Sequence, residues 1–136
     1  RLGDLSELAF VPAESIDLVF SGATMDYIED LGRVLRSVHR VLRPQGAFVF
    51  SLEHPIALCL ETTGPGGPSL VRSYSDPAPV KVERYGEAFL VYPRTVAEVV
   101  TTLGRAGFRV EALAEPAGPD ARVPAATVWR TRKDGR

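Results

Sequence analysis

The run from Ile16 to Pro55, IDLVFSGATMDYIEDLGRVLRSVHRVLRPQGAFVFSLEHP, leaves this chain few ways to fold. From Leu31 its apolar residues fall at Leu31, Val34, Leu35, Val38, Val41 and Leu42, the spacing of one buried stripe along a helix. Asp26, Glu29 and Asp30 cluster at the start of that stripe, while Arg36, Arg40 and Arg43 lie toward its end. Both poles of the helix dipole are matched, and Asp30 is the expected N-cap. Pro44 cannot continue the hydrogen-bond ladder and Gly46 tolerates a tight turn, which releases the chain into a nearly unbroken apolar strand, Ala47 to Leu52. With Ile16 to Phe20 ahead of it, this is a strand-helix-strand unit, and such crossovers pair their strands in parallel. Strands covered on both faces read as continuous apolar runs, as these do.

A second helix is expected from Val96 to Ala106. Thr95 followed by Glu98 has the capping-box spacing, Val96, Val99, Val100 and Leu103 form the stripe, and Gly107 ends it. Phe108 to Ala114 then alternates as a strand, Val123 to Thr131 supplies another with a turn between them, and Arg132 to Arg136 reads as a solvated tail. His39 falls on the charged side of the first helix and is expected in solvent. The stretch from Glu53 to Arg94 is the least regular, broken at Gly64 to Pro68 and again at Asp76 to Pro79. It should hold one short helical turn at Ile56 to Leu60 and two short strands within Val80 to Tyr92, joined around Gly86. An insertion at the carboxyl end of a central strand sits where open α/β sheets place their ligands.

Composition weighs against several classes of function. A net charge of -1 without a block of like charges gives no electrostatic footprint for nucleic acid or an anionic membrane. No apolar run approaches the about 20 residues that span a bilayer, and the single cysteine, Cys59, forms no internal disulfide, so a cytoplasmic setting is expected. No His or Cys pairs stand at metal-ligand spacing. The glycine-rich Gly64 to Gly67 lacks the Lys-Ser/Thr of a phosphate loop, and there is no nucleophile elbow for a serine hydrolase.

The same elements, in this order, resemble the class I S-adenosylmethionine-dependent methyltransferases of the small-molecule type. Ile16-Asp17-Leu18-Val19 is similar to the family's "FDLV" strand, Arg40-Val41-Leu42-Arg43-Pro44-Gln45-Gly46 to its "RVLRPGG", and Glu53-His54-Pro55-Ile56 to its "EHPI" exit. Gly3-Asp4-Leu5 and Leu8-Ala9-Phe10 resemble its "GD...LPF" loop, and Arg94-Thr95-Val96, Ala106-Gly107-Phe108 and Glu115-Pro116 its "HRT...AGF...EP" run. The resemblance implies an α/β, Rossmann-like, mostly parallel sheet with an antiparallel C-terminal hairpin. Residues 1–136 are then the C-terminal part of one methyltransferase domain, with an insertion or lid at about 53–94. The family's G-x-G-x-G turn and ribose-binding acid do not occur in this sequence. The expectation is that the N-terminal cofactor half lies outside the chain, that the chain alone binds the donor poorly, and that the Ile16 to Phe20 strand presents an edge for self-association. The competing reading is a non-catalytic fragment or descendant that binds a protein partner. A nucleotide-binding oxidoreductase does not share the "RVLRPQG" and "EHP" segments.

Methyl transfer from a sulfonium is an in-line displacement, so alignment and water exclusion carry most of the catalysis, and the acceptor is a small molecule in this resemblance. Asp4 then bonds the adenine amino group of S-adenosylmethionine and the backbone of Leu5 lies beside the ring. The alternative for Asp4 is a turn aspartate. Ser21, Gly22 and Ala23 pass close to the methionine part of the donor. His54 has two roles open to it, a base that takes the acceptor's proton or a ring that braces the lid, and the stiff corner at Pro55 favours bracing. Tyr27, His54 and Tyr85 are the candidates to line the acceptor pocket, although Tyr27, Tyr74, Tyr85 and Tyr92 could instead pack a lid on the sheet. Asp26 and Pro93 stand where related sequences carry histidine.

Overall fold

A computed structural model describes residues 2–135. The first strand, β1 (Ile16–Ser21), leads through a short 3-10 turn at Met25–Tyr27 into α1 (Leu31–Val41), which returns the chain to β2 (Leu42–Glu53). β1 and β2 are parallel, with Val19 opposite Phe48 and Phe20 opposite Val49, as the crossover requires. Asp30 caps α1 by accepting from the Arg33 amide, and Leu31, Val34, Leu35, Val38 and Val41 are its buried face. The helix ends at Val41 rather than in the Arg43 region. Arg43 to Gly46 instead bulge out of the β1/β2 register, with Gln45 at φ +64°.

The insertion contains α2 (Pro55–Leu58), a two-residue pair β3 (Leu60–Glu61) and β4 (Ser69–Leu70), and the hairpin β5 (Val80–Arg84) and β6 (Glu87–Val91). α3 (Val96–Arg105) begins with the full capping box: the Thr95 hydroxyl accepts from the Glu98 amide, and the Glu98 carboxylate accepts from the Thr95 amide. β7 (Phe108–Ala114) and β8 (Ala126–Lys133) complete a four-stranded sheet in the order β1-β2-β8-β7. β8 pairs antiparallel with both neighbours, so among the described residues the sheet carries one parallel and two antiparallel pairings, and the parallel character of the Rossmann-like arrangement resides in β1 and β2.

α1 and α3 cover one face of this sheet. Val34, Leu35, Val38, Val99 and Leu103 close on Phe48, Phe50, Leu52, Phe108 and Trp129, where the Phe50 and Trp129 rings stack at 5.9 Å. The opposite face is open. Leu18 and Phe20 on it are 58% and 73% exposed, beside Ala47 and Val49 in the neighbouring strand. Two expectations are corrected by packing between distant segments. Lys133 is not in a solvated tail: it ends β8, is buried, and donates through Nζ to the Leu42 carbonyl at 2.8 Å. Of the expected tail, Arg136 lies outside the described residues. His39 is not solvated but half-buried edge-on against Phe108, and burial pushes its pKa down.

Candidate functional site

β1 and β2 run in the same direction, with Ser21 ending β1 beside Phe50 and β2 running on to Glu53, so the segments leaving them converge on one crevice. On the β1 side, Ala23 turns the chain with φ +49° and donates its amide to the Ser51 hydroxyl at 2.9 Å. The Ser21 hydroxyl is buried with no hydrogen-bond partner among the described residues. Met25 anchors the following turn in the core, and the same turn carries Asp26 and Tyr27 toward β2.

Asp26 is 4% exposed, and its Oδ1 accepts from the Glu53 amide at 3.0 Å. Burial raises the pKa of this carboxyl, reinforced by the Glu53 charge and opposed by that amide and by Arg94 and Arg84. Glu53 itself is paired with Arg84 at 2.8 Å, and Arg84 also donates to the Tyr27 hydroxyl. These two bonds raise the Arg84 pKa, so the guanidinium stays charged and committed to them. Tyr27 packs on Phe89 at 5.4 Å between ring centroids, which ties the β5/β6 hairpin to the turn after β1. Arg94 fixes the turn from the other side by donating to the carbonyls of Met25, Ile28 and Glu29. Ala23, Asp26, Ser51, Glu53 and Arg84 enclose a pocket of about 190 Å³. Through Glu53 and Ala125 it adjoins a cleft of about 300 Å³ whose walls are mostly apolar, among them Ala57, Leu60, Val123 and Pro124. A wider groove of about 560 Å³ runs between the first turns of α1 and α3, lined by Asp30, Gly32, Glu98 and Thr102. It is a helix-packing groove and not part of the strand-end crevice.

His54 follows Glu53 at the end of β2 with both ring nitrogens engaged. Nδ1 accepts from the Ile56 amide at 3.1 Å, and Nε2 faces a Glu115 carboxylate oxygen at 2.6 Å, so the proton sits on Nε2. The ring is 5% exposed and ties the end of β2 to the segment after β7. Tyr85 is displaced from the expected pocket: it and Gly86 both take positive φ in the two-residue β5/β6 turn, which aims a 99% exposed ring at solvent. Asp4 forms a turn, its Oδ1 accepting from the Ser6 amide at 2.7 Å, and that bond holds its carboxyl below the usual range. Leu5 is half-buried against the core. Gly22 and Ala23 are exposed beside the buried Ser21. The residues the sequence reading missed are Asp26, Glu53 and Arg84. Their one signal was the replacement of a familiar histidine by Asp26, and its meaning depends on burial.

Among the described residues no cluster of three His, Cys, Asp or Glu side chains could hold a metal ion, and no helix is long and apolar enough to cross a membrane. Residues 1–50 match the methyltransferase domain family. A protein of Haemophilus influenzae is 26% identical over 120 residues, 82% of this chain and 47% of its own length. The crystal structure of a putative S-adenosylmethionine-dependent methyltransferase from Listeria monocytogenes superposes with a TM-score of 0.82 at 23% identity, over 99% of this chain and 68% of that one. An S-adenosylmethionine-dependent methyltransferase from Mesorhizobium loti gives 0.76 at 27% identity, over 97% of this chain and 68% of that one. The fold is that of the class I S-adenosylmethionine-dependent methyltransferases, and the resemblance read from the sequence holds in three dimensions. The chain spans about half the length of the curated Haemophilus influenzae relative.

Proposed function

We propose that this chain forms the acceptor side of a methyltransferase domain that moves a methyl group from S-adenosylmethionine to a small molecule. In this reading residues 1–136 are the C-terminal part of that domain and residues 53–94 its lid. The observation that carries the reading is the pocket at the ends of β1 and β2, lined by Ala23 and the buried Asp26, together with the orphaned Ser21 hydroxyl that ends β1 two residues before Ala23. A buried hydroxyl left unpaired costs about 1–3 kcal/mol, which a polar group of a bound donor recovers. The residues after β1 therefore fit S-adenosylmethionine: Ser21, Gly22 and Ala23 hold its amino-acid end. Asp4 holds the adenine amino group through the carboxylate oxygen that Ser6 leaves free, beside Leu5.

When bound, S-adenosylmethionine would supply an electrophilic methyl carbon for the acceptor's heteroatom, with the donor's sulfur as the leaving group. The chain's own residues do the rest. Asp26 orients the attacking group and takes its proton, a role for which burial has moved the carboxyl toward the operating range. The Tyr27, Arg84 and Glu53 network fixes the pocket wall, and His54 clamps the lid through Glu115. Excluding water from so small a pocket strengthens each of these contacts.

The test uses the protein produced from its complete gene and calorimetric titration with S-adenosylhomocysteine. Saturable micromolar binding is expected, weakened about threefold to tenfold by Ser21→Ala, the loss of one hydrogen bond. Absence of binding, or a Ser21→Ala protein that binds equally well, overturns the reading.

A further inference from the structure

The apolar cleft beside the Asp26 pocket specifies what kind of acceptor the domain takes. Its volume, about 300 Å³, is at the lower end of small-ligand sites, about 300–1,000 Å³, so it admits a small molecule and not a folded partner. Its two walls come from segments more than 50 residues apart: Ala57, Leu60 and Pro68 from the insertion, and Pro119, Val123 and Pro124 from the segment between β7 and β8. Those walls carry few hydrogen-bonding groups. The polar side chains are Thr62, Asp120 and Glu53, and two of the three are engaged elsewhere, Asp120 by Arg122 at 2.6 Å and Glu53 by Arg84 at 2.8 Å. His54, next to Glu53 in the chain, has no nitrogen to spare.

At the inner end, where the cleft meets the smaller pocket, the charge pattern is equally selective. Arg84 is spanned between Glu53 and Tyr27, and Arg94 is spent on three backbone carbonyls, so neither guanidinium is offered to a ligand. Asp26 is the carboxylate that remains: its Oδ1 holds the Glu53 amide, and it lines the pocket. A buried acceptor of hydrogen bonds with no free cation beside it welcomes a donor and repels an anion.

We propose, building on the methyltransferase reading, that the methyl acceptor is an apolar small molecule with one hydrogen-bond-donating head, a hydroxyl or an amine, whose body fills this cleft and whose head meets Asp26. Acceptors that present a carboxylate or phosphate at that end are rejected, because either anion would face Asp26 and Glu53 with both arginines already committed. The reacting heteroatom is then the one that Asp26 grips, since the pocket that Asp26 lines also includes Ala23 of the donor-side loop.

The probes that test this are 2-naphthol and 2-naphthoate, the same bicyclic body with a donor head or an anionic one. They are titrated at pH 7 into the protein from its complete gene, with S-adenosylhomocysteine binding measured in parallel. Saturable binding of 2-naphthol at least tenfold tighter than that of 2-naphthoate is expected. Leu60→Arg or Val123→Arg, each placing a charged chain in the cleft, should abolish binding of both probes without altering S-adenosylhomocysteine affinity. Asp26→Asn should bring the two probes within about threefold of each other. Equal affinity of the two probes, or 2-naphthol binding that survives both cleft variants, overturns the proposal. Failure of 2-naphthol to bind while S-adenosylhomocysteine binds overturns it and leaves the methyltransferase reading standing, whereas failure of both ligands removes both.

Discussion

Asp26 holds a carboxyl group in a place where burial works against its charge. Because its folded pKa is raised above the ordinary value of 3.8, the folded state binds its proton more tightly than the unfolded chain does. The stability this contributes is fully present below pH 3.8 and is lost as pH rises through the folded pKa. Asn at this position keeps an oxygen for the Glu53 amide and carries no charge to bury. Asp26→Asn should therefore raise the melting temperature at pH 7, with the gain shrinking to nothing as pH is brought below 3.8, while acceptor binding falls. Melting curves of both proteins across that range decide it, and an Asp26→Asn protein less stable than wild type at pH 7 refutes it. His54 makes the opposite kind of contribution, since its Nε2 bond to Glu115 joins segments 61 residues apart. His54→Ala should cost about 1–3 kcal/mol of stability through the unpaired Glu115 and Ile56 groups, and weaken acceptor binding, with turnover at saturating acceptor nearly unchanged. A turnover loss of about 10²-fold at unchanged melting temperature would instead identify His54 as the base.

Helices and their caps are the elements that local sequence determines most completely here. The α1 stripe and the α3 capping box each depend on residues within a few positions of one another, and both form where the spacing places them. Thr95→Ala should accordingly cost about 1 kcal/mol, measured by denaturant unfolding, with no change in the slope of the transition. The β7 strand and the β5/β6 hairpin were legible for the same reason. β8 was legible as a strand but not in its bounds, Val123 to Thr131 being expected and Ala126–Lys133 found, because nothing local distinguishes Val123 and Ala125 from strand residues. Ala125 instead donates to the Pro116 carbonyl in the connecting loop, and the strand begins only where Ala126 meets Glu53 of β2. Lys133 looked like a tail residue because its burial depends on the carbonyl of Leu42, 91 positions away. The site divides in the same way. Of the residues expected at the site, Ala23 could be placed at the pocket from the end of β1 and the motif order. The Asp26, Glu53 and Arg84 cluster could not, since three segments separated by tens of residues meet only in the folded chain. Tyr85 failed as a pocket residue because the turn chemistry of a two-residue hairpin overrides the tendency of tyrosine to pack.

At the scale of the whole molecule, the sheet is covered on one side only. Leu18 and Phe20 protrude from β1, whose outer edge pairs with no described strand, and Ala47 and Val49 continue the apolar surface into β2. An open strand edge beside exposed apolar side chains is a template for pairing with another chain. The 136-residue chain by itself should therefore sediment as a dimer or larger species, and Leu18→Lys with Phe20→Lys should return it to a monomer without lowering its melting temperature. The Listeria and Mesorhizobium structures that share this fold extend beyond it, the chain covering 68% of each, so a second arm discriminates between two kinds of cover. If other parts of the same domain pack on this face, the two lysines should destabilise the protein made from its complete gene by several kcal/mol, as charges forced into a buried site do. If instead the face serves a separate protein, as the non-catalytic reading holds, that larger protein should tolerate both lysines with its stability intact. A wild-type chain that sediments as a monodisperse monomer and melts in one sharp transition would show that the open face needs no cover at all.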